Sequence, residues 1–307
     1  MATLASLAAE VVPVAQEQGG SAVERGWTWD PTLYAGSAAH YAAGRIPYPP
    51  QLASALVDAL ELNGTGRLLD VGCGPGSLTL LLAPHVAQAI GIDADPDMLV
   101  EAERLARQQQ LTNTIWRHLL AEDLPADLPT MDVVTFAQSF HWMDRRRVAV
   151  AARGLLAPGG ALVHVHATTH QCIEDGASEE TPTARSGLAR PRPPWSAIAD
   201  QVRRYLGPQP RAGQSVLPAG IGGGDEAAIY GAAGFTDPQR FHVPGPRVER
   251  TVEQVVVAVH SLSSAAPHLF GHRLDAFDTD LRDLLAASSS TGQFSEQMPE
   301  IGVDIWR

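Results

Sequence analysis

Lysine is missing from this sequence, and all 22 of its cationic residues are Arg. Schiff-base, pyridoxal-phosphate and P-loop chemistries each need a Lys amine, so the sequence excludes all three. Its two cysteines, Cys73 and Cys172, are too few for a disulfide framework or a zinc site and are typical of a reducing cytoplasm. No stretch approaches the roughly 20 apolar residues of a membrane span. The first 24 residues lack the basic start of a signal peptide, and we expect a flexible tail there.

Positive charge is scarce as well, because 34 acidic residues against 22 Arg give a formal net charge of -12. Nucleic-acid binding draws its affinity from clustered cations, so this balance argues against RNA or DNA as a partner. A sequence without Lys and rich in Ala, Gly, Pro and Arg is typical of a GC-rich bacterial genome. With 45% hydrophobic residues over 307 positions, the chain is long enough for one large domain or two small ones.

A glycine-rich stretch at residues 68–77, Leu-Leu-Asp-Val-Gly-Cys-Gly-Pro-Gly-Ser, predicts a cofactor site. Its apolar start favours a buried strand. Its three alternating glycines leave the next turn without β-carbons, so a nucleotide-like ligand can lie against the backbone at the start of a helix. A dinucleotide-binding fold favours glycines one, three and six, which would place Ser77 where the third glycine belongs. A nicotinamide cofactor is therefore disfavoured.

The acid two residues before Gly-x-Gly-x-Gly, Asp70, resembles the first motif of the class I S-adenosylmethionine-dependent methyltransferases. The resemblance implies S-adenosylmethionine as cofactor and S-adenosylhomocysteine as product. It also implies an α/β fold, with a Rossmann-like, seven-stranded, mostly parallel sheet and helices on both faces. An N-terminal helical lid and an insertion after the fifth strand are expected in addition. The cofactor contacts expected in this motif are Asp70, Gly72, Cys73, Gly74 and Gly76.

A second acid, Asp93, follows the next predicted strand, 21 positions after Gly72. In nucleotide-binding α/β folds, an acid about 20 residues past the glycines accepts hydrogen bonds from the ribose hydroxyls. The neighbouring Asp95 fits the start of a helix, so helix capping explains Asp95 but leaves Asp93 without a structural role. We therefore interpret Asp93 as a ribose ligand, with Ala94 and Met98 beside the cofactor.

The loop after the third predicted strand contains Ala121, Glu122 and Asp123. In the family that the glycine motif resembles, a backbone amide and an acidic side chain of this loop bind the adenine edge. An acidic loop is equally typical of ordinary solvated surface, so the assignment depends on its position after the strand.

The fourth predicted strand ends at Phe136, Ala137 and Gln138, at the switch point of such a sheet. The resemblance implies that their backbone holds the methionine amino group and that His141 and Trp142 border the acceptor. With an ordinary pKa near neutrality, His141 is a candidate general base, and a hydrogen-bonded structural His is the alternative.

Aromatic residues are concentrated before the glycine strand, and this segment resembles the N-terminal lid of small-molecule methyltransferases. Tyr41 and Arg45 would reach over the cofactor, since an Arg can pair with a carboxylate and an aromatic face tolerates a sulfonium cation. Tyr34 and Tyr48 are expected to contact the acceptor. The alternative is that these aromatics only attach an entry helix to the core.

Two features after the fifth predicted strand have competing interpretations. His164 and His166 share one strand face, with His170, Cys172 and Glu174 beyond, which suggests either a metal site or polar packing. We expect no metal, because no clear acidic cluster accompanies them. The polar loop beyond precedes an amphipathic helix from Trp195 through Tyr205, and either these two aromatics line the acceptor pocket or the helix only covers the sheet.

The expected organisation is a tail at 1–24 followed by one domain at 25–307. That domain divides into the N-terminal lid (25–60), the cofactor-binding core (61–170), a substrate-lid insertion (171–235) and a C-terminal completion of the sheet (236–307). The last part should hold a strand near 239–243, helices opening at Thr251 and Leu274, and a final strand near 301–306.

The implied activity is transfer of the sulfonium methyl group to a small-molecule acceptor by in-line displacement, with a role in specialised metabolism. The alternative is a protein that binds S-adenosylmethionine without transferring methyl, and methyl turnover separates the two. Neither a nucleic acid nor a membrane is expected as a partner.

Overall fold

The computed structural model describes residues 29–167, 190–209, 211–213, 215–216 and 225–307. The expected N-terminal tail lies outside these residues, as do His170, Cys172 and Glu174 of the metal hypothesis and part of the expected insertion. Within the described ranges, no helix combines the length and the apolar character needed to cross a membrane.

Eleven strands are present in the described residues, and seven of them form the main sheet. They are β1 (Arg67–Val71), β2 (Gln88–Asp93), β3 (Thr114–His118), β4 (Met131–Ala137), β5 (Leu156–His166), β6 (Arg211–Ala212), β7 (Ser215–Val216), β8 (Gln239–Val243), β9 (Arg247–Thr251), β10 (Gln293–Gln297) and β11 (Ile301–Trp306). The main sheet has the order β3-β2-β1-β4-β5-β11-β8, and β6 pairs with β7 and β9 with β10 as separate ribbons.

The main sheet is parallel except for one strand. Strands β1 to β5 pair in parallel, whereas β11 is antiparallel to both β5 and β8. The Rossmann-like, seven-stranded, mostly parallel sheet expected from the sequence is therefore confirmed. Strand β5 begins at Leu156, and its register with β4 shifts between Met131 and Val133.

Helices flank both faces of this sheet and form a further layer beside it. The helices are α1 (Ala38–Gly44), α2 (Pro50–Leu60), α3 (Ser77–Leu82), α4 (Pro96–Gln108), α5 (Arg145–Leu155), α6 (Trp195–Leu206), α7 (Glu226–Ala232), α8 (Val252–His260), α9 (Pro267–Phe270) and α10 (Leu274–Ser288). The predicted caps are confirmed, since the Asp95 side chain accepts from Asp97 N and Thr251 and Gln254 form a capping box.

Strand β1 shows why the sheet has a core on each face. Successive side chains of a strand point to opposite faces. Leu69 and Val71 accordingly pack with residues of α5 and α7, whereas Leu68 packs with residues of α2 and α3. Asp70 follows the alternation of Leu68 and points toward α3, so the sequence pattern itself places a carboxylate beneath the glycine turn.

A third apolar cluster lies outside the sheet, and we call α6, α8, α9, α10 and the β9/β10 ribbon that surround it the accessory unit. Its centre contains Phe270, Phe277 and Phe294, all almost completely buried. The ribbon was not expected, because residues 236–307 were predicted only to complete the sheet. Strands β8 and β11 do complete it, while residues 247–297 build the accessory unit together with α6.

Helix α6 forms as expected from Trp195, but its buried residues belong to the accessory unit. It packs against α9 and α10. The interpretation that this helix only covers the sheet is therefore wrong, because no strand of the main sheet contributes to that cluster.

Candidate functional site

A cleft opens beyond the carboxyl ends of β1, β2 and β4, where open α/β sheets bind ligands. It encloses about 990 Å³, its open mouth included. Most residues expected to contact the cofactor line it: Tyr41, Arg45, Asp70, Gly72, Cys73, Gly74, Asp93, Ala94, Met98, Ala121, Glu122, Ala137 and Gln138. Three residues expected to contact the acceptor line it too, namely Tyr34, Tyr48 and Trp142.

Asp70 is buried at the floor of the cleft and joins three elements. Its Oδ2 accepts a 2.6 Å hydrogen bond from the Thr79 hydroxyl of α3, and its Oδ1 accepts a 2.7 Å bond from the Thr135 hydroxyl of β4. Burial raises the pKa of Asp70, although both hydroxyl bonds favour its charged form. The carboxylate thus holds the two elements on either side of the glycine turn.

The three glycines of the turn have left-handed backbones but different surroundings. A β-carbon on Gly72 would lie 2.5 Å from Ser139 Cβ, and one on Gly76 would lie 2.6 Å from Trp116 Cη2. On Gly74 it would meet only Tyr41, at 3.9 Å, so this side of Gly74 faces the cleft. Close packing therefore explains Gly72 and Gly76, and Gly74 alone presents open backbone to a ligand.

Asp93 closes the far side of the same turn. Its Oδ2 accepts a 2.7 Å bond from Gly74 N, and its Oδ1 accepts a 2.9 Å bond from Asp95 N. Burial raises the pKa of Asp93 to about 6, against these two backbone bonds. The sequence interpretation left Asp93 without a structural role, and the structure corrects this. Each carboxylate oxygen retains a further lone pair for a ligand hydroxyl.

Arg45 brings a positive charge to the cleft from the N-terminal side. Its guanidinium carbon lies 4.5 Å from the centre of the Tyr41 ring, and its Nη2 donates a 2.9 Å bond to Ser261 O. Its Nε is buried with no hydrogen-bond partner, and no carboxylate of the described residues forms an ion pair with it. A buried cation needs an anion or further acceptors. The cleft therefore fits a ligand that carries a carboxylate.

Aromatic rings form the wall beside Arg45. The rings of Tyr34 and Tyr41 meet edge to face with centroids 5.4 Å apart. Burial raises the pKa of Tyr34 and of Tyr48 above the usual value, and Ser263 forms a hydrogen bond with Tyr34. Both phenols are therefore neutral at physiological pH and retain hydroxyl protons to donate.

The loops after β3 and β4 close the remaining sides. Glu122 Oε1 accepts a 2.7 Å bond from the backbone N–H of Asp144 at the start of α5, so this carboxylate is attached to a helix end. Gln138 has a left-handed backbone, and its side-chain amide donates a 3.4 Å bond to Val165 O. Ser139 Oγ donates a 2.6 Å bond to Val71 O, which joins the end of β1 to the turn after β4.

Part of the chain is similar to known proteins. The family model described as "Methyltransferase domain" matches residues 68–160, the part of the chain from β1 to β5. Over this domain the chain is similar to the class I S-adenosylmethionine-dependent methyltransferases. S-adenosylmethionine is the cofactor of these enzymes, and the open backbone of Gly74 and the buried Arg45 Nε, which has no hydrogen-bond partner among the described residues, fit its bulk and its carboxylate.

Two curated relatives illustrate the extent of the match. An uncharacterised methyltransferase of Mycobacterium bovis is 35% identical over 43% of this chain and 51% of its own length. A probable S-adenosylmethionine-dependent methyltransferase of Saccharomyces cerevisiae is 31% identical over 40% of this chain and 42% of its own length. The chain thus aligns with about half the length of the curated relatives it matches.

Solved structures of low identity were compared as well. The YcgJ protein of Bacillus subtilis is 16% identical with a TM-score of 0.46, covering 84% of this chain and 98% of that one. An S-adenosylmethionine-dependent methyltransferase of Clostridium acetobutylicum is 22% identical with a TM-score of 0.35, covering 42% of this chain and 51% of that one.

Three expected cofactor residues do not line the cleft of the methyltransferase domain. Gly76 faces Trp116, as described above, and Asp123 is exposed on the 3-10 turn Ala121–Asp123. Phe136 is completely buried in the core, with its ring centroid 4.9 Å from that of Phe140.

His141, the candidate base, lies next to a cleft-lining residue but does not itself line the cleft. Its ring centroid is 4.8 Å from that of Trp142. Burial lowers the pKa of His141 to about 4. The charge of Glu226 raises this pKa and the charge of Arg145 lowers it, both by less than burial does. The imidazole is neutral at physiological pH and can accept a proton, but as a weak base.

Trp195 and Tyr205, expected to contact the acceptor, do not line the cleft. Trp195 Nε1 donates a 3.0 Å bond to Glu296 Oε2, and the Tyr205 hydroxyl donates a 2.9 Å bond to Asp280 Oδ2. Both rings pack with the accessory unit. Helical periodicity identified their apolar face but not the partner of that face.

The two histidines of β5 stack on each other, as expected for side chains two residues apart on one face of a strand. The rings of His164 and His166 lie 4.3 Å apart at an angle of 17°, and Tyr230 is 3.0 Å from His164 Nδ1. Burial lowers the pKa of His164 to about 3. Among the described residues, no group of three or more His, Cys, Asp or Glu is arranged to hold a metal ion.

Several lining residues were missed by the sequence analysis: Trp29, Ile46, Ser77, Leu78, Leu119, Leu120, Ser139 and Met143. Most of these residues directly follow or precede a predicted residue, so the expected loops do line the cleft but contribute more residues than predicted. Trp29 belongs to the aromatic-rich segment but lies far from any motif, and only the folded chain brings it to the cleft.

Proposed function

We propose that this chain transfers a methyl group from S-adenosylmethionine to a small-molecule acceptor, in the cytoplasm and as part of specialised metabolism. The observation that carries the proposal is the cleft itself. It combines a buried guanidinium at Arg45 that has no carboxylate partner among the described residues, an open backbone at Gly74 and a carboxylate at Asp93. A ligand with a carboxylate, a bulky flat centre and vicinal hydroxyls satisfies all three.

Each of these groups has a proposed partner on the cofactor. Arg45 would pair with the methionine carboxylate through its free donors, and Tyr41 would place its ring near the sulfonium. Asp93 would accept the ribose hydroxyls with the lone pairs that the backbone bonds leave unused. Glu122 would accept from the adenine amine with the oxygen that does not bind Asp144 N.

The role of the protein in the reaction is mainly alignment. When bound, S-adenosylmethionine supplies a methyl group that is already activated for displacement. The aromatic wall of Tyr34, Tyr48 and Trp142 would orient the acceptor and exclude water, and the neutral phenols would donate hydrogen bonds to it. His141 is the proposed proton acceptor, either on its own or through a water, because its imidazole is neutral above about pH 4.

A small-molecule acceptor is supported by the enclosure of the cleft and by the charge of the chain. The N-terminal segment around Tyr34 and Tyr41 forms one wall of the cleft, which favours a small acceptor over a polymer. The net charge of -12 disfavours a phosphate backbone. We also propose that residues 25–307 act as one domain, since Arg45 at the cleft donates to Ser261 beside the accessory unit.

Calorimetric titration with S-adenosylmethionine and S-adenosylhomocysteine tests the proposal, with NAD as control. We expect micromolar binding of the first two and none of NAD, followed by methyl turnover in an acceptor screen with labelled cofactor. Binding without turnover on any acceptor would favour a cofactor-binding protein that transfers no methyl. Binding of NAD alone would contradict the proposal.

A further inference from the structure

The wall of the cleft that carries Tyr34, Tyr41 and Arg45 is attached to the accessory unit and the loop after α8. Helix α1 packs on α8. His268 Nδ1 lies 2.9 Å from Ala35 O, and Arg45 Nη2 donates to Ser261 O. The position of Arg45 therefore depends on residues more than two hundred positions further along the chain.

Gly44 is the point of closest approach between α1 and α8. A β-carbon on Gly44 would lie 2.6 Å from Val257 O and 2.8 Å from Ala258 Cα, so only glycine allows the two helices to meet at this distance. The Gly44 carbonyl oxygen accepts a 3.1 Å bond from Arg250 Nη1. Gly44 directly precedes Arg45, so this bond holds the peptide from which the cleft guanidinium extends.

Arg250 is itself held by a buried ion pair. Its Nε donates a 3.2 Å bond to Glu296 Oε1 across the β9/β10 ribbon, and Glu296 Oε2 accepts the bond from Trp195 Nε1. Arg250 is 6% exposed and Glu296 is completely buried. The ion pair thus connects three separate stretches of chain: α6, the ribbon and the end of α1.

We propose that the buried Arg250–Glu296 pair is a positioning device for the cofactor, because it fixes the Gly44 carbonyl and thereby aims Arg45 into the cleft. The inference rests on the proposed function, in which Arg45 binds the methionine carboxylate. A buried ion pair contributes little net stability, since desolvation of the two charges offsets their attraction, and an apolar pair of similar size often folds equally well. Stability alone therefore does not explain why an ion pair occupies this place, whereas the positioning of Gly44 and Arg45 does.

The test compares two ligands that differ only at the end facing Arg45. S-adenosylhomocysteine carries the amino-acid carboxylate, whereas 5′-methylthioadenosine keeps the adenosine and thioether and lacks it. The variant is Arg250→Met/Glu296→Leu, which removes the bond to Gly44 O while keeping an apolar filling of similar volume. Calorimetry measures both affinities, and thermal unfolding checks that each variant is folded.

We expect the double variant to bind S-adenosylhomocysteine about tenfold more weakly, with methylthioadenosine affinity changed by less than about twofold. Adding Arg45→Met to the double variant should weaken binding much less than Arg45→Met does in the wild-type chain, because the two changes act on one contact. Unchanged S-adenosylhomocysteine affinity, an equal loss for both ligands, or a full additional loss from Arg45→Met would each overturn the inference.

Three controls separate positioning from folding and from the proposed function. Trp195→Phe removes the indole N–H that binds Glu296, and Arg282→Met breaks the partly exposed ion pairs of the same unit with Glu253 and Asp278, so neither should change the ratio of the two affinities. Arg250→Lys, which loses the fork that binds both acceptors, should show the same ligand preference if the double variant does not fold. Failure of the wild-type chain to bind either ligand would instead remove the proposed function and this inference with it.

Discussion

The backbone N–H of Gly74 donates a 2.7 Å hydrogen bond to Asp93 Oδ2, which joins the glycine turn after β1 to the acid after β2. Sequence reasoning treated these two residues as separate contacts with the cofactor. In the folded chain each holds the other, so a change at Asp93 also alters the backbone on which the ligand would lie.

Asp93→Ala is expected to weaken S-adenosylhomocysteine binding by about 1 to 3 kcal/mol, because it removes charge-assisted bonds to the ribose. Calorimetry at pH 7.5 measures the loss. Asp95→Ala is the matched control, since it removes only the helix cap at Asp97 N and lies one residue beyond the proposed ligand contact. Equal affinities of wild type and Asp93→Ala would eliminate the ribose assignment.

Cofactor binding should weaken as the pH falls through about 6, the value to which burial raises the pKa of Asp93. Below that pH the carboxyl is protonated and accepts fewer hydrogen bonds, so binding must release a proton. Calorimetry in buffers of different ionisation enthalpy measures this release. In Asp93→Asn the release near pH 6 should disappear, and its persistence there would assign the titration to another group.

Gly74→Ala and Gly76→Ala should separate ligand contact from packing. Both force a left-handed backbone on Ala, which costs about 1 kcal/mol. Gly76→Ala also drives a methyl group against Trp116, adding about 1–3 kcal/mol of overpacking. We expect Gly74→Ala to lose cofactor affinity with a modest loss of stability and Gly76→Ala to show the larger loss of stability, measured by calorimetry and by urea unfolding.

His141→Ala should lower kcat by about a hundredfold if His141 is the base, with S-adenosylhomocysteine affinity unchanged. The wild-type rate should fall only as the pH drops through about 4, since burial lowers the pKa of His141 to that value. A rate profile with an acid limb near the ordinary His value would point to a different base, and a small effect of the substitution would make His141 structural.

Tyr48→Phe and Tyr205→Phe compare an aromatic at the cleft with one in the accessory unit. Removing the Tyr48 hydroxyl should raise KM for the acceptor or lower kcat, because Tyr48 lines the cleft. Removing the Tyr205 hydroxyl breaks only the bond to Asp280 and should leave both constants unchanged. Steady-state kinetics with an acceptor from the screen measures the difference, and the reverse pattern would return the acceptor site to α6.

Local patterns predicted the individual strands and helix caps because these depend on near neighbours in sequence, whereas the family resemblance implied the sheet that the strands form. Strand β1 was predicted from Leu68, Leu69 and Val71, and the start of α4 from Asp95 and Pro96. The β9/β10 ribbon was not predicted, because its two strands are short and lie more than forty positions apart in the sequence. Thr251 was recognised as a helix cap but not as the end of a strand that pairs with Gln293.

The sequence by itself determined the succession of the first strands and helices along the chain, the glycine turn and the acids beside it, since each follows from short-range spacing. Only the tertiary structure decided which glycine faces the cleft, where Trp195 and Tyr205 lie, and what holds Arg45. Those outcomes depend on contacts between distant segments, such as Arg250 with Gly44 and Gly76 with Trp116. No periodicity or motif records such contacts, because the partners meet only when the sheet and the accessory unit have formed.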